Sequence, residues 1–294
     1  MRTGSGSWLF RAAGWLAAAA LFALFSVNSV QAQVTGIRAT KHNLGSGGTV
    51  AGQNKTTGTD EVCVFCHTPH AADSSAAVPL WNKQLPSGSS YTTYASFGST
   101  SLDGQVLAVG SVSLACLSCH DGTQAMDNII NAPGPGGYSA TGGGANGLAW
   151  SWNALGGRVD ADGKLINAAD TIAMLGTDLK NDHPIGVQYC GGGQNATTPS
   201  GACTDADFVA PTNTSINGTR VWWVDTGTGT TGTREKTDMV LYNRDFGSGT
   251  TVSGPSVECA TCHDPHAEPK SSGQVAFMRV STAGSAICLS CHVK

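Results

Sequence analysis

The chain has 294 residues, 40% of them apolar and only 12% charged, with a formal net charge of -4. A balance this small and negative excludes a surface built to hold nucleic acid or an anionic membrane. The 39 glycines predict a turn-rich chain, and the length accommodates one or two domains.

The first element in chain order, residues 1–32, reads as a cleaved signal peptide. Arg2 and Arg11 supply its positive flank, residues 15–27 form an apolar run too short to span a bilayer, and Val30-Gln31-Ala32 offers a small-residue cleavage site. The expected product is a mature chain without a membrane span, secreted through the periplasm to the cell surface or beyond, where the setting is oxidising.

Eight of the ten cysteines fall into four copies of Cys-x-x-Cys-His: Cys63, Cys66 and His67; Cys116, Cys119 and His120; Cys259, Cys262 and His263; Cys288, Cys291 and His292. This is the attachment pattern of c-type heme. Two thiols add across the two vinyl groups of one porphyrin, and the adjacent histidine becomes the proximal iron ligand. Zinc sites do not need a histidine after every second cysteine, and redox Cys-x-x-Cys pairs accompany a βαβ pattern that this chain lacks. Four covalently bound heme c groups are expected.

Of the eight histidines, four follow a Cys-x-x-Cys, which leaves His42, His70, His183 and His266 for the four distal positions. Methionine is the rival axial ligand, represented by Met126, Met174, Met239 and Met278. The matched count favours two histidines on every iron, hence low-spin hemes of low potential. The remaining cysteines, Cys190 and Cys203, stand close together in a Gly/Thr/Asn-rich stretch and read as a structural disulfide.

The motifs come in the same order twice. His42 precedes CVFCHTPH (residues 63–70) and CLSCH (116–120); His183 precedes CATCHDPH (259–266) and CLSCH (288–292). His67 and His70 are three residues apart, so on a helical turn their Cβ atoms lie about 5–6 Å from one another. His70 therefore cannot reach the far face of the heme that His67 holds and must serve another, and the same holds for His263 and His266. The expected organisation is a diheme module over 33–130, a Gly-rich linker region over 131–180, and a second diheme module over 181–294 with a β/loop insertion around 186–256. Residues 220–225 (RVWWVD) and 238–243 (DMVLYN) predict a β-hairpin there. The fold expected is a multiheme cytochrome c, mostly coil, with short helices following the heme motifs, a small β-hairpin region and a core supplied largely by the hemes.

These residues resemble the extracellular tetraheme cytochromes of the OmcE type, which polymerise into conductive filaments. The likeness is carried by Lys41-His42-Asn43-Leu44, CVFCHTPH with Pro79-Leu80-Trp81-Asn82 after it, CLSCHDGT from Cys116, Asp182-His183-Pro184-Ile185-Gly186, VECATCHDPH over 257–266 and the closing CLSCHVK. The resemblance implies an electron-transfer protein rather than an enzyme. It further implies a head-to-tail homopolymer with a continuous heme row, passing electrons to redox proteins or extracellular acceptors. One distal histidine would come from the neighbouring subunit, and His42, first after the cleavage site on a Gly-rich arm, is the expected donor. The rival readings are a monomeric periplasmic shuttle with the same ligands and, less favoured, a multiheme reductase. A reductase needs an iron with an open position, and no Cys-x-x-Cys-Lys motif is present.

Overall fold

The computed structural model describes residues 35–144, 147–153, 158–168, 172–247, 253–266 and 277–293, so the signal peptide expected over 1–32 lies outside the described residues. From Gly36 onward the chain forms one compact unit. Among the described residues no helix is long and apolar enough to cross a membrane.

The first half carries little regular structure. A helical turn, α1 (Thr35–Arg38), precedes β1 (Lys55–Thr56), which pairs antiparallel with β2 (Trp152–Asn153). Between them lies the longest helix, α2 (Ser111–His120).

The second half holds a five-stranded antiparallel sheet. Its strands are β3 (Val187–Gln188), β4 (Thr212–Ile216), β5 (Thr219–Val224), β6 (Met239–Asp245) and β7 (Ser253–Val257), in the order β3-β7-β6-β5-β4. The expected hairpin is the β5–β6 pair, with Trp222 opposite Leu241 and Val224 opposite Met239. The surrounding sheet is larger than that expectation. Asn217 and Gly218, both at positive φ (49° and 80°), make the two-residue turn between β4 and β5 that matches strand twist. Pro255 in β7 is tolerated because β3 reaches only Ser256 and Val257, leaving Pro255 paired to Asn243 on one side.

The coil-dominated expectation is corrected in a second respect, since the helices contain the heme motifs instead of following them. Cys116 and Cys119 lie in α2, α3 (Cys259–Cys262) is a motif in itself, and α4 (Ala286–Leu289) enters the fourth motif at Cys288. The first motif is a single turn in which the Cys66 and His67 N–H groups both donate to the Cys63 carbonyl, at 3.1 and 2.8 Å. The reason is geometric: positions i, i+3 and i+4 of one turn share a face, which the two thiols and the histidine need.

Apolar side chains gather in four small clusters rather than one core. Three of them touch a motif cysteine. Trp222, Val224, Met239 and Leu241 of the sheet, with Tyr189, pack against Cys262, Ile287 and Cys291. Val64, Phe65 and Ile129 pack against Cys66, and Met126, Val159 and Leu165 against Cys119. The sheet thus acts as the rigid backing for the third and fourth motifs.

The two HxPH elements are built alike. His67 bridges antiparallel to Trp81 and His263 to Met278. Thr68 N–H donates to Leu80 O at 2.9 Å and Asp264 N–H to Phe277 O at 2.7 Å, while Asn82 N–H donates to Cys66 O and Arg279 N–H to Cys262 O, both at 2.9 Å. Leu80 and Phe277 even share a positive φ, 56° and 68°. Leu80-Trp81-Asn82 and Phe277-Met278-Arg279 are therefore structural counterparts, despite little identity between them.

Candidate heme-binding site

The eight motif cysteines are free thiols, whereas Cys190 and Cys203 are joined in a disulfide with a Cα–Cα distance of 5.3 Å. The motif thiols neighbour one another in chain order. Burial pushes the Cys66 thiol up to about 12, with Cys119 adding to the shift. Cys116 donates its S–H to Cys259, which raises the first thiol and lowers the second. Burial likewise raises Cys291 to about 12, with Cys262 next to it in effect. First motif meets second, second meets third and third meets fourth.

The histidines come together across motifs. The His67 and His266 rings lie 6.1 Å apart between centroids, inclined by 15°. The His42 and His120 rings are also 6.1 Å apart, inclined by 67°. Burial lowers the pKa of His183, and the nearby His292 lowers it further. Neither His263 nor His70 stands opposite another imidazole in a ring pair among the described residues. Burial also lowers His263, with His120 the next cause, and His70 is exposed.

These positions suit iron. Two metal–imidazole bonds of about 2 Å each, plus two ring radii of about 1 Å, span about 6 Å between centroids. Rotation about each bond leaves the angle between ring planes free. Four of the histidines also turn Nδ1 toward a backbone carbonyl: His42 to Pro265 (3.3 Å), His67 to Pro79 (2.8 Å), His120 to Ala173 (2.7 Å) and His183 to Pro184 (3.1 Å). A carbonyl only accepts, so Nδ1 carries the proton and Nε2 presents its lone pair, the usual outer-shell arrangement of a metal-bound histidine. Burial, followed by His120, brings the His42 pKa down to about 4, which keeps this imidazole neutral and able to ligate. The rival methionines Met126 and Met239 are buried within apolar clusters, 3% and 0% exposed.

Several supporting groups carry no sequence signal of their own. Phe277 stacks on His42 at 4.2 Å and 19°, and Phe208 lies 4.4 Å from the His292 ring. Lys83, fully buried, donates to the carbonyls of Ala125, Met126 and Asn128 at 2.9, 3.3 and 3.0 Å and so ties the first motif's neighbourhood to the loop after the second. Only the Pro-Leu-Trp-Asn stretch before it hinted at an ordered segment here.

Residues 254–294 match the family described as doubled CXXCH motif, which spans the third and fourth motifs. The match indicates a multiheme c-type cytochrome. Its Cys-x-x-Cys-His motifs bind heme c covalently, and the role is electron transfer. A search of curated proteins returned no match. Bound between two imidazoles, each heme iron would supply one-electron chemistry without an open site for substrate.

Proposed function

We propose that the protein carries four bis-histidine heme c groups in a row and polymerises head to tail into an extracellular filament that conducts electrons. The observation that carries this reading is the pairing of His67 with His266, at the spacing of two ligands on one iron. It joins the first and third motifs, while the thiol contacts run from first to second, second to third and third to fourth. Hemes at those positions form one unbroken path, and the path ends at both ends on exposed motif cysteines, Cys63 and Cys288.

The expected role of His42 changes. This residue faces His120 of its own chain and is held there by Pro265 and Phe277, so it serves the heme of the second motif rather than a neighbouring subunit. By the same geometry the proximal–distal assignments are His67 with His266, His120 with His42 and His292 with His183. Secretion through the expected signal peptide would place the filament outside the cell, where redox proteins and external acceptors are its partners.

The experiment is to purify the secreted protein, count hemes by the pyridine hemochrome assay and image it by electron microscopy. Four hemes per chain, low-spin electron paramagnetic resonance signals and filaments with hemes continuous across subunit boundaries are the expected result. Discrete particles with four low-spin hemes would instead support the monomeric shuttle.

A further inference from the structure

Resting on the filament reading, we infer that the contact between the two modules of one chain is repeated between chains, with Pro69, His70 and Leu80 of one copy seated on His183 and His263 of the next. Inside the chain, the second module offers a plug and the first a socket. His266 stands opposite His67, the Pro265 carbonyl accepts from His42 Nδ1, Phe277 stacks on the other face of the His42 environment at 4.2 Å, and Cys259 meets Cys116.

The duplicated backbone gives every member of that junction a counterpart. His70 corresponds to His266, Pro69 to Pro265, Leu80 to Phe277 and Cys63 to Cys259, and these form a second plug on the first module. His263 corresponds to His67, His183 to His42 and Cys288 to Cys116, and these form a second socket on the second module. The equivalences rest on the shared hydrogen bonds and on the shared positive φ of Leu80 and Phe277.

The second plug and the second socket are open. Leu80 is 53% exposed, where its counterpart Phe277 is half-buried against His42. Cys63 and Cys288 are exposed, whereas Cys116 and Cys259, which meet inside the chain, are partly covered. His183 and His263 are exposed where His42 and His67 are not. His70 and His263 are the two histidines left over when the three facing pairs are removed. Plug and socket lie on different modules of the same molecule, so joining copies is heterologous and leaves a free plug and a free socket after every addition. In the contact, His70 Nε2 donates its lone pair to the sixth position of the iron held by His263, and Leu80 covers the imidazole of His183.

The test uses the full secreted holoprotein and two variants, His70→Ala and Leu80→Lys. His70→Ala should keep four hemes, lose filaments and show one high-spin iron per chain, and added imidazole should return that iron to low spin without restoring filaments. Added to growing wild-type protein, it should cap chains and shorten them, because its socket still accepts a wild-type plug. Leu80→Lys should keep four hemes and shorten filaments at least severalfold. Wild-type filaments together with unchanged, fully low-spin filaments of His70→Ala would overturn this contact and leave the filament reading standing. If the wild type itself gives only separate particles with four low-spin irons, the filament reading falls and the contact falls with it.

Discussion

The imidazoles of His67 and His266 lie nearly parallel, 6.1 Å apart, although 199 positions of sequence numbering separate a residue of the first motif from one beyond the third. The short His-Asp-Pro-His element explains the arrangement. Its first histidine belongs to its own Cys-x-x-Cys, and its second is forced outward, where the neighbouring module's proximal histidine is waiting. Asp264 fixes the turn by accepting from the His266 N–H at 3.0 Å. Nearby His266 and Arg279 hold the Asp264 carboxyl down at about 2, with His266 the larger cause.

Replacing His266 by Ala should therefore change the ligation of the heme attached at Cys63 and Cys66, not that of the heme beside it. All four hemes should remain, because thioether formation does not use the distal ligand. One iron should become high spin, and its reduction potential should rise once a strong nitrogen donor is lost. Resonance spectra and a redox titration read both effects; four unchanged low-spin signals would refute the pairing.

Changing Cys116 and Cys119 together to Ala should remove one heme and about a quarter of the hemochrome absorbance, by the attachment chemistry. The second motif sits between the first and third in the thiol series, so the gap falls inside the row. Electron transfer along the assembled protein should drop far more than the heme count does. A conductance loss merely proportional to heme content would contradict the order of sites.

The attachment residues were legible from sequence because covalent chemistry dictates their spacing: two thiols three positions apart and a histidine next to the second. The pairing of distal histidines was not legible, since His42 with His120 and His67 with His266 are long-range contacts that no local pattern encodes. The assignment of His42 to a neighbouring chain failed for that reason, as nothing near residue 42 announces Pro265 or Phe277. In the sheet, the alternation through Trp222 and Val224 revealed β5. The Asn217-Gly218 turn signal also marked β4 and was passed over. β3 and β7, short and interrupted by Gly254 and Pro255, owe their pairing to the strands beside them.

Cys203→Ser should leave heme content unchanged and lower the stability of the sheet region. The disulfide spans 13 positions and anchors Cys190, which is 1% exposed within the cluster that backs the third and fourth motifs. Loop closure of this size contributes about 3 kcal/mol. Thermal unfolding followed at the heme Soret band should shift down by several degrees, and the third and fourth hemes should respond first.

The ion pair between Arg244 and Glu258, at 2.7 Å, joins β6 to the residue just before α3. Glu258 is 1% exposed and also accepts from Ser113 Oγ of α2 at 2.5 Å, so it binds the second and third motifs together. Burial outweighs these partners and holds its pKa above the ordinary 4.5. A carboxyl raised in the folded state binds more protons folded than unfolded between its two pKa values. Its contribution is therefore fullest below the unfolded value and declines as pH rises through the folded one. Arg244 limits that decline by compensating the buried charge. Arg244→Met should cost about 3–5 kcal/mol near neutral pH, where it strands an ionised Glu258, and clearly less near pH 4, where the carboxyl is neutral. The residual loss at low pH comes from the second Arg244 hydrogen bond, to Ala108 O at 2.8 Å. Combining Arg244→Met with Glu258→Gln should abolish the difference between the two pH values, as read by denaturant unfolding at each. An equal loss for Arg244→Met at pH 4 and pH 7 would show that the guanidinium acts through packing and the Ala108 contact alone.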